Sequence, residues 1–545
     1  MPEICVKTPL SRSLLRTADQ LISALETLRN QAFALERSWA EPLARVHSPR
    51  RASARNLVHY LALRRSDIRG LQRKLALLGL SRLGRSEAHT LSSLNAVLAA
   101  LYALAGREGP RLGRGPVAIS KGSTLLATHA RELLGEAPAK RPARIMVTMP
   151  SEAATQPELL RDLLLAGMDV MRINCAHDDV AAWRAMIDNL RAAERATGQT
   201  CRIYADLAGP KLRTGAIRPV GRKLEFKPSR DVWGRIEHPA RIWVTPRENP
   251  EPAPEGTQIV LPVTSGVLEE ARAGDSLALE DSRGGQRDIS LVERRGRSWL
   301  AQSQHHVYLR DGAGCVLYRD VVQLAKGSVG PLPEVVMPLE LRLGDRLWLT
   351  AEDQPGQPAR RDEDGEVIDH ASIPCTLEAV FDAARPGQPV WFDDGKIGGV
   401  ILSVAERRLL LEITQAPPRG ARLRPEKGIN LPETELAIPA LTDKDLADLC
   451  DLAPHVDMVG LSFVRRPEDV LDLHRHLQEL DAERLGTVLK IETRQGFENL
   501  PRILLASLAR PPVGIMVARG DLAVEIGFER LAEVQEEILW LCEAA

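Results

Sequence analysis

Residues 143–207 carry three short runs, "ARIMVTM" (143–149), "MDVMRIN" (168–174) and "CRIYADL" (201–207), and their reading decides the fold. Each is apolar enough for a buried strand, and amphipathic stretches near 156–166 and 179–196 separate them. Strands that alternate with helical patterns mark a parallel α/β domain. The rhythm stops near Gly215 and resumes at "INLPETELAIPALTDKDLADL" (429–449), where Thr442 followed by Asp445 predicts a capping box. It continues through "VDMVGLSFV" (456–464), "TVLKIET" (487–493) and "VGIMVARG" (513–520). The expected fold class is therefore α/β: a TIM-type barrel showing six of its eight strand–helix units.

Outward from these runs, residues 1–105 read as helical. Leu14, Ala18, Leu21, Leu25, Leu28, Ala32 and Leu35 recur in steps of four and three, a heptad seam on one helix face. That seam either joins two chains or packs against the amphipathic runs that follow it, the second being favoured. A Gly-, Pro- and Arg-rich passage opens a linker over 106–142. Barrel residues 143–215 then lead into an inserted β domain, 216–427, dense in Gly and Pro, before the barrel continues over 428–545. The insert echoes itself: "ARAGDSLALEDSRGGQRDISLVERRG" at 271 resembles "ARPGQPVWFDDGKIGGVILSVAERR" at 384, and "LRLGDRLWL" at 341 is a third start. Duplication and chance likeness between hairpins both account for this.

Composition narrows the class. Of 545 residues, 44 % are hydrophobic and 27 % charged, an ordinary globular balance, and the net charge of -1 supplies no global field for nucleic acid or anionic membrane. Seven cysteines, Cys5 among them, show no C-x-x-C pair and read as buried thiols. The N-terminus lacks a signal-peptide layout, and the longest apolar run, near "LNAVLAALYALAG", is too short for a membrane helix. A cytoplasmic protein is expected.

Barrel chemistry sits at the C-terminal ends of the strands. There the second strand presents Arg172 and Asn174, and the third Asp206, followed by Lys211 and Arg213. The fourth presents Ser462 and Phe463, the fifth Lys490 and Glu492, the sixth Arg519, Gly520 and Asp521. A strand places Lys490 and Glu492 on one side, which reads either as a buried ion pair or as half of a metal and phosphate site. Five polar strand ends converging favour the second. Glu492 and Asp521 are hard oxygen ligands suited to Mg2+ or Mn2+. Arg172 suits a fork onto phosphate, and Lys490 is a point charge for developing negative charge. Gly520 precedes a helix whose first N–H groups can grip a carboxylate.

Eight blocks carry a family likeness: "GMDVMRINCAH", "ADLAGPKLRTG", "FDDGKI", "EKGINLP", "IPALTDKDLADL", "DMVGLSFVRRPEDV", "KIETRQGFENL" and "GIMVARGDLAVEI". In that order they resemble pyruvate kinase over 143–216 and 390–542. The resemblance implies phosphoryl transfer between phosphoenolpyruvate and ADP to give pyruvate and ATP, and a homo-oligomer. It implies Glu492 and Asp521 as divalent metal ligands, Lys490 as the lysine that steadies the moving phosphoryl group, and Arg172 as the phosphate-binding arginine, supported by Arg213. It places the substrate carboxylate at the backbone of Gly520 and Asp521, with Ser462 beside the substrate. Lys427 falls near the nucleotide phosphates, and the "DDG" from Asp393 lies in the domain that closes over the cleft. Asn174 and Asp206 match monovalent-cation ligands.

The chain also departs from that family. Ala176 stands where a serine ligand for K+ is usual, and Lys211 where potassium-dependent members carry a glutamate, so activity without K+ is expected. The sequence stops before the family's seventh strand, with its threonine for enolate protonation; a truncated record, a partner chain, or a patch by the N-terminal helices would each account for that. The insert is enlarged. Two other readings stand beside the kinase: a magnesium-dependent enolpyruvate lyase or aldolase, and a non-catalytic phosphoenolpyruvate-binding or assembly protein.

Overall fold

Among the described residues six α-helices precede the first strand: α1 (Arg12–Ser38), α2 (Ala40–Arg45), α3 (Arg51–Arg64), α4 (Arg69–Leu77), α5 (Thr90–Leu104) and α6 (Gly122–Leu134). The structure, a computed structural model, describes residues 12–257, 259–351 and 353–545; Cys5 lies outside them. The heptad face of α1 is covered within the chain. Ala18, Leu21, Leu25 and Leu28 pack against Leu63 of α3, Leu75 of α4 and Leu94, Leu98 and Leu101 of α5. Farther along, Ala32 and Leu35 join Leu57 and Val58 in a second cluster. The helix α6 lies inside the stretch read as linker, because "GSTLLATHARELL" supplies Leu133 to a core that the Gly- and Pro-rich residues before it do not reach.

The barrel strands follow. They are β1 (Met146–Thr148), β2 (Val170–Asn174), β3 (Arg202–Asp206), β4 (Met458–Leu461), β5 (Gly486–Ile491) and β6 (Val513–Val517), all parallel and adjacent in chain order. They form a curled half-barrel. Every residue of β4 and β5 is buried, as expected of a parallel sheet covered on both faces. The helices α7 (Pro157–Leu165), α8 (Val180–Thr197), α9 (Asp443–Leu452), α10 (Pro467–Glu479), α11 (Arg494–Glu498), α12 (Leu500–Ser507), α13 (Arg519–Ile526) and α14 (Leu531–Ala544) accompany them. Their ends are set by local chemistry. Asp179 caps α8 through Ala182 N–H, and Gly198 ends it at a φ of 70° that favours glycine. The Thr442–Asp445 capping box opens α9.

Two parts of the helical segment cover this sheet. The cluster around Ala32, Leu35, Leu57 and Val58 includes Ile491 at the end of β5, Leu504 and Leu508 beyond it, and Val534 and Ile538 of α14. Leu133 of α6 enters the concave side among Val170, Tyr204, Met458 and Val488. Gly486 and Gly514 make room for it: a Cβ there would lie 2.4 and 2.5 Å from its methyl carbons.

The chain forms two compact units. Residues 1–212, 379–404 and 428–545 make one; 213–378 and 405–427 make the other. Residues 379–404, read as part of the insert, therefore count with the barrel. The strand Pro389–Phe392 pairs with Ile429–Asn430, Asp393 N–H donates to Gly428 O at 3.1 Å, and Gly395 lies against Val524 of α13. The second unit holds a seven-stranded sheet over 240–328 around a core of Ile242, Leu261, Leu277, Leu279 and Leu317.

The three sequence echoes share one turn. Gly274, Gly344 and Gly387 all take positive φ, and their N–H groups donate 2.8 Å bonds to Leu291, Ile413 and Ile401 O. Each of these three partners returns an N–H to the residue after the glycine. The side chains of Asp275, Asp345 and Gln388 each accept from the backbone N–H of the arginine three residues earlier. A matched set of backbone and side-chain bonds is more than chance hairpin likeness supplies.

Candidate active site

Parallel pairing brings the strand ends to one side of the sheet, and register aligns them: Thr148 with Arg172, Asn174 with Asp206, and Asp206 with Gly460. Asp206, fully buried, is the hub. Its Oδ2 accepts from Arg172 Nε at 2.8 Å and from the same guanidinium's Nη2. Its Oδ1 faces Lys490 Nζ at 3.2 Å and accepts from Tyr204 OH at 3.1 Å. Lys490 Nζ also donates to Ser462 Oγ at 2.8 Å and lies 3.2 Å from Glu492 Oε1. Ser462 is anchored in turn on Leu207 O. Arg172 Nη1 donates to Thr148 Oγ1 at 2.8 Å. One hydrogen-bonded chain thus runs from β1 to the end of β5.

Glu492 is the second buried acid of the array. Its Oε2 accepts from Phe463 N–H at 2.7 Å. Burial pushes its carboxyl above the usual range; Lys490 opposes the rise, while Asp521 and Asp206 add to it. A carboxyl raised by desolvation and by neighbouring acids is one that a dication would relieve. Asp521, in the first turn of α13, sits 2.8 Å through Oδ1 from Lys211 Nζ. Among the described residues no group of three or more His, Cys, Asp or Glu gathers as a metal cage. Two hard carboxylates are what the residues offer, a donor set that suits a Mg2+ whose other positions are filled by substrate oxygens and water. The fit is chemical: oxygen donors only, with Glu492 desolvated and beside two further acids.

The remaining predicted residues lie as follows. The helix α13 starts without a side-chain cap, leaving first-turn N–H groups at Gly520 and Asp521. Asn174 Oδ1 accepts from Ala176 N–H at 3.3 Å. Arg213 and Lys427 belong to the other unit, where Arg213 Nη1 donates to Glu426 O and Lys427 N–H to Thr214 Oγ1. Three participants escaped the sequence reading. Tyr204 stands two residues before Asp206 in β3, a spacing that could have exposed it. Thr148 is the polar end of β1, the strand left out of the list of strand ends. Glu525, half-buried and with its carboxyl pushed up by desolvation, accepts from Asn430 Nδ2 at 3.0 Å; only its "VEI" context hinted at it.

Comparison with known proteins places these features in a family. The profile described as "Pyruvate kinase, barrel domain" matches residues 140–236 and 344–545, more than half of the chain. Pyruvate kinase from Methylorubrum extorquens is 34 % identical over 221 residues, 40 % of this chain and 43 % of its own length. The Corynebacterium efficiens enzyme is 33 % identical over 227 residues, 41 % of this chain and 44 % of its own. The Clostridium acetobutylicum enzyme is 32 % identical over 183 residues, 33 % and 37 % of the two lengths. The chain spans about two fifths of the length of these relatives.

Proposed function

This chain belongs to the pyruvate kinase family, and from that premise we propose that it moves a phosphoryl group between phosphoenolpyruvate and ADP. The observation that carries the proposal is the continuous array Arg172–Asp206–Lys490–Glu492, with Asp521 close enough to perturb Glu492. An ion pair serving structure alone needs one partner for each charge. Here Lys490 meets two acids and a hydroxyl, and Arg172 is held at Nε and Nη2 by Asp206 and at Nη1 by Thr148.

In this reading Arg172, pinned by Asp206 and Thr148, presents its fork to the phosphate of phosphoenolpyruvate. Lys490, fixed by Ser462, stands where negative charge develops on the transferring group and the enolate. The first-turn N–H groups at Gly520 and Asp521 hold the substrate carboxylate. Glu492 and Asp521 would hold Mg2+, which supplies Lewis-acid charge neutralisation to the phosphoryl oxygens. Arg213 supports the phosphate, and Lys427 meets the nucleotide. Both oxygens of Asp206 are engaged by the protein's own groups, and Lys211 already places an ammonium at the site. A monovalent ion is therefore not required.

A coupled assay following pyruvate from phosphoenolpyruvate, with and without ADP and Mg2+, tests the proposal. Turnover requires both. Lys490→Met and Glu492→Gln each abolish it with the fold intact; near-normal rates in either variant would refute the assignment.

A further inference from the structure

A cavity of about 510 Å³ lies between the α1–α2 junction and the barrel helices α10 and α12, away from the array described above. This volume is within the range of small-molecule sites, roughly 300–1,000 Å³. Trp39, Pro42, Leu471 and Leu505 give it an apolar lining, which suits an apolar body. Three guanidiniums, those of Arg45, Arg466 and Arg502, meet two carboxylates, Glu41 and Glu468. Glu41 is taken by Arg45 at 2.6 Å, and Arg466 reaches only as far as Asp469 at 3.8 Å. Arg502 makes no ion pair among the described residues. Among the described residues Arg502 is therefore a lining fork without a carboxylate, and Glu468 a lining acid without a cation.

We propose that this cavity binds a small organic anion, one carboxylate or phosphate on a flat apolar body, with Arg502 holding the anionic group. The planar, weakly hydrated guanidinium suits that role, and Trp39 supplies the face on which a ring lies. Two loops carry the site. The β4–α10 loop holds Phe463, whose N–H binds Glu492, and continues into Arg466 and Glu468 of the cavity. The β5–α11 loop begins at Glu492 and continues into Gln495 and Asn499. The two are tied by Asn499 Nδ2 donating to Arg465 O at 2.9 Å. An occupant pressing on residues 466 and 499 therefore acts on the segments that position Glu492. That coupling, unlike the binding itself, rests on the phosphotransferase reading.

Calorimetric titration of the whole chain with phenyl phosphate, benzoate and inorganic phosphate, in the absence of phosphoenolpyruvate, tests the site. At least one aromatic anion binds, more tightly than inorganic phosphate. Binding of phenyl phosphate alone assigns a phosphoryl head, of benzoate alone a carboxylate head. Arg502→Ala and the cavity-filling Leu471→Trp, both at exposed positions, each weaken binding by about tenfold or more, one power of ten in the constant. Lys490→Met leaves it unchanged, which separates this site from the catalytic one. No binding by either aromatic anion, binding that survives both cavity substitutions, or loss in Lys490→Met overturns the proposal.

Discussion

Replacing Asp206 by alanine is the severest single test of the hub. The side chain is fully buried and is the shared counter-ion of two cations, Arg172 by two nitrogens and Lys490 at 3.2 Å, besides accepting from Tyr204 OH. Its loss leaves Lys490, whose side chain is 10 % exposed, with Glu492 as its one remaining acid. Breaking a buried pair by removing one partner costs about 3–5 kcal/mol. Asp206→Asn keeps the shape and an acceptor but not the charge, so about 1.5–3 kcal/mol is expected, the scale of a hydrogen bond to a charged group. Urea unfolding followed by tryptophan fluorescence should show both losses in the barrel transition, the alanine variant unfolding first. In the pyruvate assay both variants should lose about a hundredfold or more in kcat/KM, since every ~1.4 kcal/mol of lost positioning is tenfold. If Asp206→Ala unfolds within about 0.5 kcal/mol of the parent, the range of an ordinary surface change, then the array is not held as argued.

Three further outcomes follow from the same geometry. Turnover should persist in potassium-free buffer because Lys211 supplies a fixed positive charge at Asp521; collapse without K+ would refute this. Glu492 has a raised carboxyl pKa, so the proton competes with the metal: the Mg2+ concentration for half-activity should climb as pH falls through that raised value. By linkage, burying ionised Glu492 costs stability that is regained as pH falls through the same value, and Glu492→Gln should flatten this stability profile. Leu133→Ala should destabilise the barrel unit by about 2–5 kcal/mol in urea unfolding, because Gly486 and Gly514 leave a space shaped for that side chain; a loss below about 1 kcal/mol would remove α6 from the barrel core.

The barrel was legible because its signals are local. Apolar runs of strand length, an N-cap such as Thr442, and polar residues at strand ends are written in neighbouring letters. The ends of β2, β3 and β5 fall where the alternation put them, and Lys490 Nζ lies 3.2 Å from Glu492 Oε1. What escaped is non-local. Nothing near residue 133 says that a leucine there enters a half-barrel beginning at 146, since the Gly- and Pro-rich residues before it read as a break. The placement of 379–404 depends on pairing with 429–430 across many intervening residues. Tyr204 went unnoticed because an aromatic in an apolar run reads as core, and core it is, with one hydroxyl turned to the hub.

The packing of α1 and α3 on the barrel sets the order in which this chain can mature. Asn56 donates to the carbonyl of Ala544 at 2.9 Å, and Leu57 and Val58 share a cluster with Val534 and Ile538. A ribosome adding about 5–20 residues per second delivers those partners roughly half a minute or more after the helices emerge. Through that interval a greasy stripe faces water with nothing to lie on. The first hundred residues thus call for a chaperone, or for a provisional fold among themselves that later opens to admit the last strands.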